Sequence, residues 1–194
     1  MKKRKAIEVP ELSQLEEELN RVKYKKRYKR VLTSTVSTLI VVAAIAVLIA
    51  TLLMPVLQIY GTSMSPTLYD GDIIATWKTT DFKPGDVVAF YYNNKILVKR
   101  VIAMSGEWVD MDEDGNVYVN DVLLDEPYLT ERAVGECDIK LPYQVPENRI
   151  FVMGDHRSVS VDSRSTTVGC VSEEQLVGKL VFRVWPIGSF GTVR

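Results

Sequence analysis

Residues 31–53, VLTSTVSTLIVVAAIAVLIATLL, contain no charged side chain, and none appears until Asp70. As a helix these residues span roughly 34 Å, enough for a hydrocarbon layer of about 30 Å. A backbone in lipid must satisfy its own polar groups, so this stretch has to be a helix. Thr33, Ser34, Thr35, Ser37 and Thr38 dilute its first third. Their hydroxyls can bond back to carbonyls of the same helix and are tolerated there. Pro55 ends or kinks the run. The stretch is longer than the apolar core of a cleavable signal sequence, and Ala44-Ile45-Ala46 lies mid-run, where a cut would fall inside the bilayer. An uncleaved anchor is expected over residues 31–54.

Charge divides around this anchor. Residues 1–30 hold eleven Lys or Arg against five Glu, a net +6, whereas residues 70–194 hold thirteen basic and twenty acidic side chains, a net −7. The basic cluster RVKYKKRYKR next to the apolar run places the N-terminus in the cytoplasm and residues 55–194 outside it. The same cluster suits anionic lipid headgroups. Leu12, Leu15, Leu19 and Val22 form a thin helical stripe before it, and Ser13 with Glu16 resembles a capping box.

Beyond Asp72 the pattern is strand-like. DIIATW, DVVAFYY, KILVKRVIAM, EWVDM, NVYVN, RIFVM and GKLVFRVW are short and rich in β-branched or aromatic residues, with turn signals between them. YYNNKILV reads as a hairpin with a two-residue turn. The expected fold is therefore mainly β: a coiled antiparallel sheet or barrel-like domain preceded by one transmembrane helix and a short cytoplasmic helix. Residues 129–148 lack periodicity and read as a surface loop. Cys137 and Cys170 fall in the outer domain, where a disulfide is permitted. Their spacing does not decide between a bridge and two thiols, and the plainer reading is two thiols. No metal-ligand spacing occurs, and no metal or cofactor is expected.

GTSMSPTL, residues 61–68, sets four hydroxyls (Thr62, Ser63, Ser65 and Thr67) just after the anchor. A hydroxyl nucleophile needs a base. The single histidine, His156, sits between Asp155 and Arg157, and the arginine disfavours the imidazolium that a Ser-His-Asp triad requires. Lysine is the other candidate. In KILVKRVIAM, Lys99 shares one strand face with Leu97 and Val101, and Arg100 shares the other with Val98 and Ile102, so at least one charge is partly desolvated. Arginine holds its proton, whereas lysine can lose it. Keeping a lysine neutral at pH 7 costs about 4–5 kcal/mol from its ordinary pKa, and burial can remove most of that. Taken alone, an ordinary edge-strand lysine is the plainer reading.

Spacing does not bring Ser63 to Lys99, but three segments together resemble the type I signal peptidases. GTSMSPTL resembles their nucleophile box, GDVVAFYY through ILVKRVIAMSG their lysine box, and VMGDHRSVSVDSR a third box, all in the family's order and spanning the chain from the anchor to about Trp185. The size resembles the short, single-span form typical of Gram-positive bacteria. The resemblance implies a serine endopeptidase that removes signal peptides from secreted preproteins after small-x-small motifs. Ser63 would be the nucleophile and Lys99 the general base, with Ser160 orienting the lysine. Asp162 with Arg164 would support the site, as would Asp155 in the same box. The backbone N–H of Ser63 would be one oxyanion donor.

Two positions depart from the family. His156 stands where Asn is usual, and Gly61 stands where some relatives place a second oxyanion hydroxyl. Met64 and Leu68 are candidate pocket walls. Expected partners are signal peptides, membrane lipid and the secretion translocon, with no nucleic acid. The alternatives are a dedicated relative processing one pilus or secretion-system cargo, and a non-catalytic anchored assembly module. A self-cleaving Ser/Lys repressor is disfavoured by the anchor and by the lack of a DNA-reading domain.

Overall fold

A computed structural model describes residues 11–193. The chain divides into two units, with the boundary between Ile49 and Ala50.

Helix α1 (Leu12–Leu53) is continuous through 42 residues, so the expected cytoplasmic helix and the apolar run are one element. It starts at Leu12, which places Ser13 inside the first turn rather than at the cap, and the anticipated capping box does not form. The Glu11 carbonyl accepts the first turn's amides from Gln14 and Leu15 instead. Thr33 donates to the Lys29 carbonyl at 2.7 Å and Thr38 to the Ser34 carbonyl at 2.9 Å, the back-bonding that makes a hydroxyl compatible with lipid. By length and composition the helix can cross a membrane, with an apolar window of mean hydropathy 2.6 that is not buried against protein.

The second unit is built of antiparallel strands. β1 (Val56–Gln58), β2 (Ile73–Trp77), β3 (Val87–Tyr92), β4 (Lys95–Ala103), β9 (Arg149–Met153), β10 (Val171–Ser172), β11 (Leu176–Trp185) and β12 (Gly191–Thr192) form one sheet. Its order is β1-β2-β11-β3-β4-β9-β10, with β12 on β11. β5 (Trp108–Met111), β6 (Val117–Val119), β7 (Val122–Leu123) and β8 (Tyr143–Gln144) form a smaller sheet in the order β7-β6-β5-β8. All seven strand-like segments of the sequence are strands. The β3–β4 hairpin has Tyr92 opposite Lys95 around a two-residue turn, with Asn93 at φ 51°, a left-handed conformation that asparagine tolerates.

The loop expected over residues 129–148 holds more structure than its sequence suggests. It contains β8, Val145 is buried, and the Tyr143 ring packs 6.2 Å from that of Phe151. Irregular backbone is fixed here by side chains brought from elsewhere, which a local pattern does not show.

Two features position the site. β4 changes partner along its length: Lys95 to Arg100 pair with β3, while Arg100 to Ala103 pair with β9. Lys99 and Arg100 sit at that changeover. Ile59, Met64, Leu68, Ile74, Val87, Ala89 and Leu180 form one apolar cluster, so the turn carrying Ser63 is pinned to the sheet by the residues on either side of it.

Candidate active site

Ser63 lies in the turn after β1. Gly61 enters it at φ 86°, where a side chain would be strained, and donates its N–H to Asp70 Oδ1 at 2.7 Å. Met64 and Leu68 then anchor the segment in the core, and the Leu68 amide bonds the Met64 carbonyl at 2.9 Å. This geometry leaves the Ser63 hydroxyl half-buried, 2.7 Å from Lys99 Nζ. Among the described residues no acceptor takes the Ser63 N–H. The two residues are thirty-six positions apart, and the sheet brings them together.

Lys99 is 3% exposed. Burial lowers its pKa from 10.5 to about 8; the negative charges of Asp162 and Asp155 pull the other way, and Arg164 adds to the lowering. Arg100 beside it is as deeply buried, and its guanidinium is bridged by a carboxylate and a carbonyl. Its Nε and Nη2 donate to the two Asp155 oxygens at 2.8 and 2.6 Å, and Nη1 donates to the Gly85 carbonyl at 2.7 Å. One buried cation has a carboxylate clamp and its neighbour has a serine hydroxyl. Only the second is placed to give up a proton.

The segment from Gly154 to Arg164 closes over this pair. The His156 amide donates to the Ser63 carbonyl at 3.0 Å. The Ser160 hydroxyl donates to Asp162 Oδ2 at 2.7 Å, so its bond goes to the carboxylate and not, as expected from the sequence, to the lysine. Asp162 also accepts from the Gly154 amide at 2.9 Å and from Arg164 Nε and Nη2, each at 2.8 Å. Burial raises the pKa of this carboxyl, but the bonds and charge of Arg164 and the Ser160 hydroxyl outweigh it and hold the value below the ordinary range. Arg164 further donates to the Val134 carbonyl at 2.6 Å, tying the 129–148 segment to the site.

A cleft of about 690 Å³ opens beside Ser63 and Lys99. One wall is Leu57 to Gly61 with Met64, and the other is Asn94 to Val98. Met64 lines it. Leu68 does not: it is completely buried in the core below, because the turn directs residue 68 toward Ile74 and Leu180. Among the described residues β1 has only β2 as a strand partner, and residues 95–99 of β4 have only β3, so both walls are strand edges with backbone groups unclaimed by a neighbouring strand.

Four participants were not assigned from the sequence. At Gly154, a Cβ would lie 2.2 Å from Ser160 Oγ and 2.5 Å from the Ser63 carbonyl oxygen, so only glycine fits. Thr67, one of the four hydroxyls, donates to Asp155 Oδ2 and accepts from Arg100 Nη2 at 3.2 Å. Tyr128 covers Arg100, and Glu126 pairs with Arg157, from a segment with no motif. A glycine followed by a charged run was the available signal for Gly154; nothing marks Glu126 or Tyr128.

A serine hydroxyl on a buried, pKa-lowered lysine beside an open cleft is the arrangement of a hydrolase with a hydroxyl nucleophile. The family described as signal peptidase, peptidase S26, matches residues 32–185, and the chain belongs to that family of serine peptidases. It is 36% identical over 174 residues to Signal peptidase I of Bacillus licheniformis, covering 81% of this chain and 91% of that protein. It is 39% identical over 152 residues to Signal peptidase IB of Staphylococcus aureus strain N315, covering 68% and 78%. Among solved structures, a signal peptidase I from Enterococcus faecalis V583 matches with 28% identity and a TM-score of 0.42, over 52% of this chain and 97% of that one. Both cysteines are free thiols, and burial raises that of Cys170 to about 11, which leaves it unreactive.

Proposed function

We propose that this chain is a membrane-anchored endopeptidase that removes N-terminal signal peptides through a Ser63/Lys99 dyad. The observation that carries the reading is the 2.7 Å contact between the hydroxyl and a lysine whose pKa is lowered to about 8. From that value a neutral lysine at pH 7 costs about 1.4 kcal/mol, against about 4–5 from the ordinary one.

Neutral Lys99 takes the Ser63 proton as Oγ attacks the scissile carbonyl. The oxyanion accepts the unclaimed N–H of Ser63. The Lys99 ammonium then protonates the leaving amine, the C–N bond breaks, and an ester to Ser63 remains. Water then attacks the ester carbonyl as Lys99 takes its proton; the C–O bond to Ser63 breaks, the Lys99 ammonium returns the proton to Ser63 Oγ, and the new carboxyl terminus leaves. Gly61 carries no hydroxyl, so a second oxyanion donor has to come from Thr62, a backbone group or water. Asp162, Arg164, Asp155 and Ser160 hold the geometry without touching the reacting atoms.

The substrate adds as an extended strand between β1 and β4, and the main-chain groups of these edges bind it without regard to sequence. Selection for small side chains at the first and third positions before the cut follows from walls such as Met64 that exclude large ones. The apolar part of a signal peptide stays in the bilayer while its cleavage site emerges. This reading assigns residues 1–30 to the cytoplasm, 31–54 to the membrane and 55–194 to the outer face, where lipid and the secretion translocon are neighbours.

The test is to incubate full-length protein in lipid vesicles with a secretory precursor and to read new N-termini by mass spectrometry. Cleavage after a small-x-small motif, lost in Ser63→Ala and Lys99→Ala and kept in His156→Ala, is expected. Survival of Lys99→Ala with loss in His156→Ala overturns the dyad. No cleavage by the unmodified protein favours a dedicated or non-catalytic relative.

A further inference from the structure

Glu126 is 4% exposed and pairs with buried Arg157, yet it lies in a segment between β7 and β8 and does not line the cleft beside Ser63 and Lys99. Its carboxylate receives both terminal nitrogens of buried Arg157 and the Tyr128 hydroxyl, the last at 2.9 Å. The Tyr128 ring covers the Arg100 guanidinium, 3.9 Å from its carbon to the ring centroid. One tyrosine therefore joins two buried arginines, through its face to one and through its hydroxyl and a carboxylate to the other.

Each arginine leads to the nucleophile turn. Arg100 holds Asp155 and the hydroxyl of Thr67, four residues after Ser63. Arg157 donates through Nε to the Gly154 carbonyl at 3.1 Å, and Gly154 packs directly on the Ser63 carbonyl. We infer that Tyr128 and Glu126 are positioning residues for catalysis: a clamp that fixes Arg100 and Arg157, and through them the distance between Ser63 and Lys99. The inference rests on the dyad reading above. Stacking on an aromatic face excludes water from a guanidinium whose edge donors are already engaged, so it can hold but not add a proton-transfer step. A displacement of about 1 Å at a reacting pair costs on the order of 100-fold in rate. Loosening the clamp therefore lowers kcat and leaves KM alone, because neither residue lines the cleft.

Full-length protein in phospholipid vesicles, assayed with an internally quenched peptide bearing an Ala-x-Ala site, tests this. Tyr128→Leu, judged per folded molecule, is expected to lose at least tenfold in kcat with KM within twofold. Tyr128→Phe keeps the ring and loses only about threefold. Glu126→Gln keeps the shape, loses the charge and falls about tenfold, and it decides the matter if Tyr128→Leu does not fold. The proposal is overturned if the folded variants retain kcat within twofold, if the loss appears in KM, or if Phe is as damaging as Leu. Ser63→Ala and Lys99→Ala run alongside: activity in Lys99→Ala would break the dyad reading itself and is distinguishable from failure of the clamp.

Discussion

The His156 amide donates to the Ser63 carbonyl at 3.0 Å, so the protein's one histidine meets Ser63 through its main chain. Its Nδ1 is buried without a partner. A base in a triad would need a ring nitrogen on the serine hydroxyl, and that hydroxyl is engaged by Lys99. The usual Asn of the family and the His found here can both supply the backbone bond. His156→Asn and His156→Ala should therefore keep kcat/KM within about fivefold of the unmodified protein, measured on a peptide substrate. A loss of 1000-fold would restore the imidazole to the mechanism.

Activity should rise with pH through about 8, the value to which burial brings Lys99. In the proposed dyad the base works neutral, so at pH 7 roughly a tenth of the molecules are competent. A plot of log kcat/KM against pH should climb with unit slope below the midpoint and flatten above it. Lys99→Arg should be inactive at every pH, because guanidinium keeps its proton.

The same lysine should weaken the fold. Its pKa falls on folding, so the unfolded chain binds the extra proton between about 8 and 10.5, and stability rises with pH across that window. Below pH 8 the full penalty is expressed. Lys99→Met should stabilise the protein at pH 7 by up to about 3 kcal/mol, with the gain gone by about pH 11. Thermal melts at the two pH values check the sign.

The Asp162 carboxylate accepts bonds from Gly154, Ser160 and Arg164, and Arg164 is its buried counter-ion at 2.8 Å. Asp162→Asn leaves that arginine without its charge partner, which should cost about 3–5 kcal/mol in denaturant unfolding. Replacing both residues by an apolar pair should cost less than the single change. A larger loss in the double variant would contradict the assignment of the penalty to an uncompensated charge.

Gly154→Ala should combine a fold defect with a catalytic one. The added methyl meets the Ser160 hydroxyl at 2.2 Å and the Ser63 carbonyl at 2.5 Å, and the second atom is backbone that cannot rotate away. Overpacking of this kind costs about 1–3 kcal/mol. Moving Ser63 off Lys99 should lower kcat by at least 100-fold at temperatures where the variant is folded.

The sequence by itself determined the elements. The uncharged run over residues 31–53 is long and apolar enough to cross a membrane as a helix, and α1 carries it without a break. Alternating β-branched segments became seven strands, and Asn93-Asn94 became the β3–β4 turn, because these signals are local. Ser63 and Lys99 stood out through the resemblance of their boxes.

Only the tertiary structure decided what those residues touch. It placed Leu68 in the core and not in the cleft, gave the Ser160 hydroxyl to Asp162, and tied the patternless 129–148 segment to Arg164 through the Val134 carbonyl. It also made Arg100 a clamped cation and Lys99 a neutralisable one. Adjacent positions on one strand face opposite ways, and the carboxylate that separates their fates, Asp155, lies fifty-five residues further along the chain. Local pattern fixes the period of burial. Which charge a buried lysine or arginine meets depends on long-range pairing, and that pairing is set by the whole sheet.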